Sequence, residues 1–207
     1  MEATIGAGAD MIGLVFHTAS PRFVSIGRAK ELSRIARDRI EIVALVVDAD
    51  DAALGEIVDE VQPDWLQLHG TETPERAAAI SSRFRRPLIK ALSVQKATDI
   101  ASAAAYDRVA EMILFDAKAP AGATRPGGHG RPFDWTILQR AAVDRPFMLS
   151  GGLNAGNVAD AIQTARPAAV DVSSGVETAP GRKSVELIGA FVAAARLAAE
   201  APAMAIS

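Results

Sequence analysis

Residues 147–177 read FMLSGGLNAGNVADAIQTARPAAVDVSSGVE. A short apolar run, FMLSG (147–151), leads into a helical pattern opened by Asn154 and carrying Val158 and Ile162. A second run, AVDVSS (169–174), follows. Strand, helix and strand in this order form a β-α-β unit, which makes the two strands parallel. Both strands stop on residues that leave the backbone bare or offer a hydroxyl: Gly151 and Gly152 after the first, Ser173, Ser174 and Gly175 after the second. Bare amides and hydroxyls at strand ends are suited to holding an anion.

The same unit recurs toward the N-terminus. Further strands are expected at MIGLVF (11–16), EIVALVV (41–47), WLQLH (65–69), PLIKAL (87–92) and MILFDA (112–117). Several are apolar on both parities, as strands covered on both faces tend to be. Between them Ile26, Ala29, Leu32 and Ile35 share a helical face, as do Leu54, Ile57, Val58 and Val61. Thr73-Pro74-Glu75 reads as an N-cap, a first-turn proline and a first-turn acid, and Ser184 opens a helix with Ile188, Phe191 and Val192.

The repeat implies an α/β protein with a parallel sheet, either doubly wound or closed. A dinucleotide fingerprint fails, because Gly6 and Gly8 precede a strand and Met11 stands where a third glycine belongs. Polar residues at successive strand ends favour a TIM barrel, the (β/α)8 fold. The expected strands fall one short of the eight in such a barrel. MEATIGAGAD reads as the back half of a helix, so the missing strand is the first. One domain over residues 1–197 and a frayed tail over 198–207 are expected.

Composition narrows the function. The 207 residues carry a net charge of -3, which gives no basic field for nucleic acid. There is no cysteine, so disulfides and thiolate metal sites are excluded on this chain. No apolar run approaches the ~20 residues of a membrane helix. The three histidines lack metal-ligand spacing. A cytoplasmic protein without a metal site is expected, as monomer or homodimer, acting on a small phosphorylated molecule.

Strand parity sorts the remaining polar groups. Gln67 and His69 share one face of their strand, Asp116 lies opposite Ile113 and Phe115, and Asp171 and Ser173 oppose Val170 and Val172. All sit near C-terminal strand ends, where barrel active sites lie. Asp116 is the candidate general acid; pairing with Lys118 or capping a loop is the plainer reading. His69 equally fits a structural histidine. Arg22, in SPRF, could meet a carboxylate with its planar fork or stand as a solvated loop residue. The Gly- and Pro-rich segment 118–135 follows the Asp116 strand and suits a water-excluding lid.

GADMIGLVF, SPRFVS, LQLHG, PLIKAL, ILFDAK, GGHGRPFDW, LSGGLNAGNV and VDVSSGVETAPG, in this order, resemble the phosphoribosylanthranilate isomerases. The resemblance spans Gly8 to about Ala195. It implies a (β/α)8 barrel that converts N-(5'-phosphoribosyl)anthranilate to 1-(2-carboxyphenylamino)-1-deoxyribulose 5-phosphate in tryptophan biosynthesis. The reaction is an Amadori rearrangement needing no cofactor. It further implies that Asp116 protonates the furanose ring oxygen. Gly151, Gly152, Ser173 and Ser174, with Gly175 beside them, would hold the phosphate, and Arg22 would face the anthranilate carboxylate.

The family's general base, a cysteine in a K-x-C-G motif on the first strand, has no counterpart in the 207 residues. The expectation is an open seam in the barrel, reduced turnover by this chain, and a true start lying upstream. Two other readings stand beside this one. One is a different phosphate-binding biosynthetic barrel, such as indole-glycerol-phosphate synthase or the histidine-pathway isomerase, for which Lys90 is the available strand lysine. The other is a catalytically impaired phosphate-binding protein.

Overall fold

The computed structural model of the chain describes residues 1–118, 132–139 and 146–201. A helix α1 (Glu2–Gly6) precedes a run of parallel strands: β1 (Met11–Val15), β2 (Glu41–Val46), β3 (Trp65–Leu68), β4 (Leu88–Val94), β5 (Met112–Ala117), β6 (Phe147–Leu149) and β7 (Ala169–Val170). Helices α2 (Ile26–Ala36), α3 (Asp51–Val61), α4 (Pro74–Phe84), α5 (Ala97–Ile100), α6 (Thr136–Gln139) and α7 (Val158–Ala165) lie in the connections. An antiparallel pair, β8 (Glu177–Ala179) with β9 (Arg182–Lys183), leads into α8 (Val185–Glu200).

The strands pair in sequence order, β1 to β7, each parallel to the next. Among the described residues β1 and β7 do not pair with each other. The sheet is therefore a barrel wall with one seam, as the strand count of the sequence anticipates. Helices α1 and α8 meet beside it, where Arg196 donates to the Gly8 carbonyl at 2.9 Å and to Asp10 Oδ1 at 2.7 Å.

Period-2 alternation builds two cores. Val43, Ile89, Ala91, Leu114 and Met148 pack together inside the curled sheet. The opposite parity, with Leu66, Leu68, Leu88, Ile113, Phe115 and Leu149, packs outward against Leu54, Ile57, Ala77, Ile80, Val158 and Ala161 of the helices. The helices start where side chains can satisfy their first amides. Ser25, Asp50, Thr73 and Ser184 accept from the N–H groups of Arg28, Ala53, Arg76 and Leu187, and Pro74 occupies the first turn of α4.

Three expected boundaries shift. Asn154 does not open α7. Its side chain instead accepts from Gly156 N, and α7 begins at Val158, after Asn157. The last sheet strand is shorter than 169–174, because beyond Val170 the chain turns into the short 3-10 helix Ser174–Val176. Helix α8 runs on to Glu200 with Ala198 buried, so the boundary expected after 197 falls inside it. Residues 202–207 of the expected tail lie outside the described residues, as do residues 119–131 of the expected lid.

Candidate active site

A cavity of about 760 Å³ opens at the C-terminal ends of the strands and follows the seam between β1 and β7. Its wall brings together Arg22, Gln67, His69, Asp116, Gly151, Gly152, Ser173 and Ser174, which are far apart in the chain. Gly175, the remaining expected member, is not among the residues lining this cavity.

The two glycine- and serine-bearing loops touch through their backbones. A Cβ added at Gly175 would fall 1.9 Å from the Leu153 carbonyl oxygen, so this glycine is required for the loops to approach. Its sequence assignment as an anion ligand thus gains a packing role. Gly151 has φ +88°, and a Cβ there would stand 2.3 Å from the Ala117 amide nitrogen. Gly152 is likewise left-handed at φ +70°, with its carbonyl held by Asn157 Nδ2 at 3.0 Å. Among the described residues, the amides of Gly151, Gly152, Ser173, Ser174 and Gly175 donate to no protein acceptor. Unspent N–H groups on two neighbouring loops beside one cavity are the kind of arrangement that can hold an anion. Lys183 adds a positive charge, its Nζ lying 2.8 Å from the Ser173 carbonyl and 3.3 Å from Ser173 Oγ.

The titratable groups expected at the strand ends line the same cavity. Asp116 is buried. Its Oδ2 lies 3.4 Å from His69 Nε2, and His69 Nδ1 is 3.0 Å from Gln67 Nε2. Asp116 thus faces a histidine, which displaces the plainer pairing with Lys118. Asp171 also lines the cavity and accepts from Ser150 Oγ at 2.8 Å. Burial pushes the Asp171 carboxyl above its ordinary range; the Ser150 hydrogen bond offsets part of that, and the nearby Asp116 charge adds to it.

Arg22 is not solvated: its side chain is 12% exposed. Nε and Nη2 each donate at 2.7 Å to Glu177, a bidentate pair across 155 positions. Lys183 lies 2.9 Å from the same carboxylate. Burial alone would raise Glu177, but hydrogen bonds from Arg22 and Lys183 outweigh it and hold the group at about 2.

Lys90 does not serve the mouth. It points to the helix side of β4 and is buried against Glu72 at 2.8 Å, also donating to the Leu68 and Gly70 carbonyls. This removes the one lysine that supported a different biosynthetic barrel. Glu177, Lys183 and Ser150 carry no signal in the sequence beyond their nearness to glycine- or serine-bearing strand ends, while Asp171 is marked by its parity. Among the described residues no group of His, Asp and Glu side chains has a metal-binding arrangement, and no helix is long and apolar enough to cross a membrane.

Residues 1–194 match the family described as N-(5'phosphoribosyl)anthranilate (PRA) isomerase. A relative from Rhodopseudomonas palustris (strain BisA53), named N-(5'-phosphoribosyl)anthranilate isomerase, is 56% identical over 195 residues, covering 94% of this chain and 89% of the relative. The crystal structure of phosphoribosyl anthranilate isomerase from Thermotoga maritima superposes with a TM-score of 0.85 at 36% identity, covering 94% of this chain and 92% of that one. A crystal structure of the isomerase in complex with reduced 1-(o-carboxyphenylamino)-1-deoxyribulose 5-phosphate gives 0.80 at 33% identity, with 94% and 91% covered. With fold, motif order and sequence identity agreeing over nearly its whole length, the chain belongs to the N-(5'-phosphoribosyl)anthranilate isomerase family.

Proposed function

We propose that this chain isomerises N-(5'-phosphoribosyl)anthranilate to 1-(2-carboxyphenylamino)-1-deoxyribulose 5-phosphate, with Asp116 as general acid and the paired loops as phosphate cradle. The observation that carries the reading is that, among the described residues, the amides of Gly151, Gly152, Ser173 and Ser174 have no protein acceptor, on loops lining the cavity that also holds Asp116 and Arg22.

The chemistry follows from where charge develops. The phosphate sits in the amide cradle with Lys183 behind it, anchoring the ribose. The carboxylate at the other end meets the Arg22 guanidinium. Between these anchors the furanose ring reaches Asp116, whose proton passes to the ring oxygen as the bond from that oxygen to C1' breaks. The anomeric nitrogen supplies the electron pair, leaving an open-chain iminium ion. With no cysteine among the 207 residues to act as base, water takes the C2' proton, giving the neutral enaminol, which tautomerises to the ketose product. Every atom of the substrate is retained. His69, with Nε2 3.4 Å from Asp116 Oδ2, presents an N–H to the carboxylate left after proton transfer.

Turnover by the chain, followed by the fluorescence change as phosphoribosylanthranilate is consumed, tests the proposal together with Asp116→Asn. The expected result is a kcat lowered ~100- to 10,000-fold in the variant. Affinity for the reduced product analogue should be retained. Equal turnover by the two proteins would overturn the assignment of Asp116.

A further inference from the structure

Glu177 does not line the cavity, yet it holds two residues that do. Its carboxylate receives Nε and Nη2 of Arg22, both at 2.7 Å, and lies 2.9 Å from Lys183 Nζ. Lys183 in turn grips the carbonyl and hydroxyl of Ser173. One buried carboxylate, 4% exposed, therefore links the loop after β1 to the serine loop after β7. A second contact reinforces the link. Gly181, at the tip of the β8–β9 hairpin with φ +81°, sits so close to the loop bearing Arg22 that an added Cβ would be 2.6 Å from the Pro21 carbonyl oxygen.

The bidentate pair also fixes which edge of Arg22 remains for a ligand. With Nε and Nη2 engaged, Nη1 is the guanidinium nitrogen that has no protein acceptor among the described residues. A lone arginine would wander through its rotamers. This one is held by a planar fork that admits a single orientation.

The geometry points to Glu177 as a positioning residue that sets the specificity of the site: it aims Nη1 of Arg22 at the substrate carboxylate and fixes the distance from that group to the phosphate cradle. This rests on the proposed isomerase reading for the identity of the two anions. A ligand is then recognised by the spacing of its carboxylate and phosphate, and a compound with only the phosphate gains less from Glu177, through Lys183 alone.

Titration calorimetry on the whole chain tests this with two compounds. One is reduced 1-(o-carboxyphenylamino)-1-deoxyribulose 5-phosphate; the other is its phenylamino counterpart lacking the carboxylate. Glu177→Gln should weaken the first about tenfold, the worth of a charge-assisted hydrogen bond, and the second by clearly less. A general structural role would weaken both alike, and that outcome overturns the proposal. So does tighter binding of the carboxylated compound, which would mean that Glu177 merely competes for Arg22. Should Glu177→Gln fail to fold, Glu177→Asp keeps the buried charge but shifts it by one methylene. A smaller loss confined to the carboxylated compound supports the role, and an unchanged ratio refutes it. Wild-type protein that binds neither compound overturns both this inference and the isomerase reading. Wild-type binding with a ratio indifferent to position 177 overturns the inference alone.

Discussion

His69 follows β3 and Asp116 stands in β5, yet Nε2 of the histidine lies 3.4 Å from Oδ2 of the aspartate in the cavity wall. Gln67, one turn of the pleat below, stands 3.0 Å from His69 Nδ1. The contact is satisfied by the tautomer carrying its proton on Nε2, with the Gln67 amide donating to Nδ1. Replacing His69 by Leu removes the group facing the acid while keeping the volume. The expected effect is about a tenfold fall in kcat, or ~1.4 kcal/mol at the transition state, with KM little moved. Steady-state kinetics distinguish this from a KM effect, which would place His69 in substrate binding.

The close approach of the loop after β6 to the end of β5 predicts a stability penalty at Gly151. Its φ of +88° and the 2.3 Å between an added Cβ and the Ala117 amide leave no room for a side chain. Gly151→Ala should cost at least ~1–2 kcal/mol for the left-handed backbone alone. Thermal melting should show Tm down by about 2–4 °C for each kcal/mol lost in a domain of this size. An unchanged melting temperature would show that the turn has another conformation.

Acid should act through Glu177. Its folded value, about 2, lies below the ordinary 4.5, so ionised Glu177 stabilises the fold above the ordinary value. That contribution is lost as pH falls from about 4.5 toward about 2. Urea unfolding of wild type and Glu177→Gln should therefore differ more at pH ~6 than at pH ~3. A difference independent of pH would mean that the ion pair with Arg22 does not form in solution.

The buried pair Lys90–Glu72 holds the loop after β3, since Glu72 also accepts from the amides of Asp48 and Gly70. Lys90→Met leaves that carboxylate without its cation and should destabilise the fold by ~3–5 kcal/mol. Adding Glu72→Gln removes the stranded charge and should restore part of the loss. Denaturant titration of the single and double variants measures both. A double variant no better than the single would locate the cost in packing.

The β-α repeat, the seam and the polar strand ends were all legible in the sequence. Each depends on local chemistry: period-2 runs, caps such as Thr73-Pro74, and glycines where strands stop. Parity alone put Gln67, His69 and Asp116 on one side of the sheet, because a strand's side chains alternate regardless of what surrounds it. The sequence fared less well on ends of elements. Asn154 was expected to open a helix, and only the path of residues 154–157 shows its side chain spent on a local turn.

What the chain order could not convey was pairing across distance. That Arg22 meets Glu177, 155 positions away, that Asp116 faces His69 rather than Lys118, and that Lys90 turns from the mouth toward Glu72 are decided by strand register and by the curl of the sheet. Charged side chains carry no marker of their partner in a linear sequence. An ion pair forms only where burial brings two groups together and the desolvation of each is offset by the other, and the folded backbone alone sets that distance.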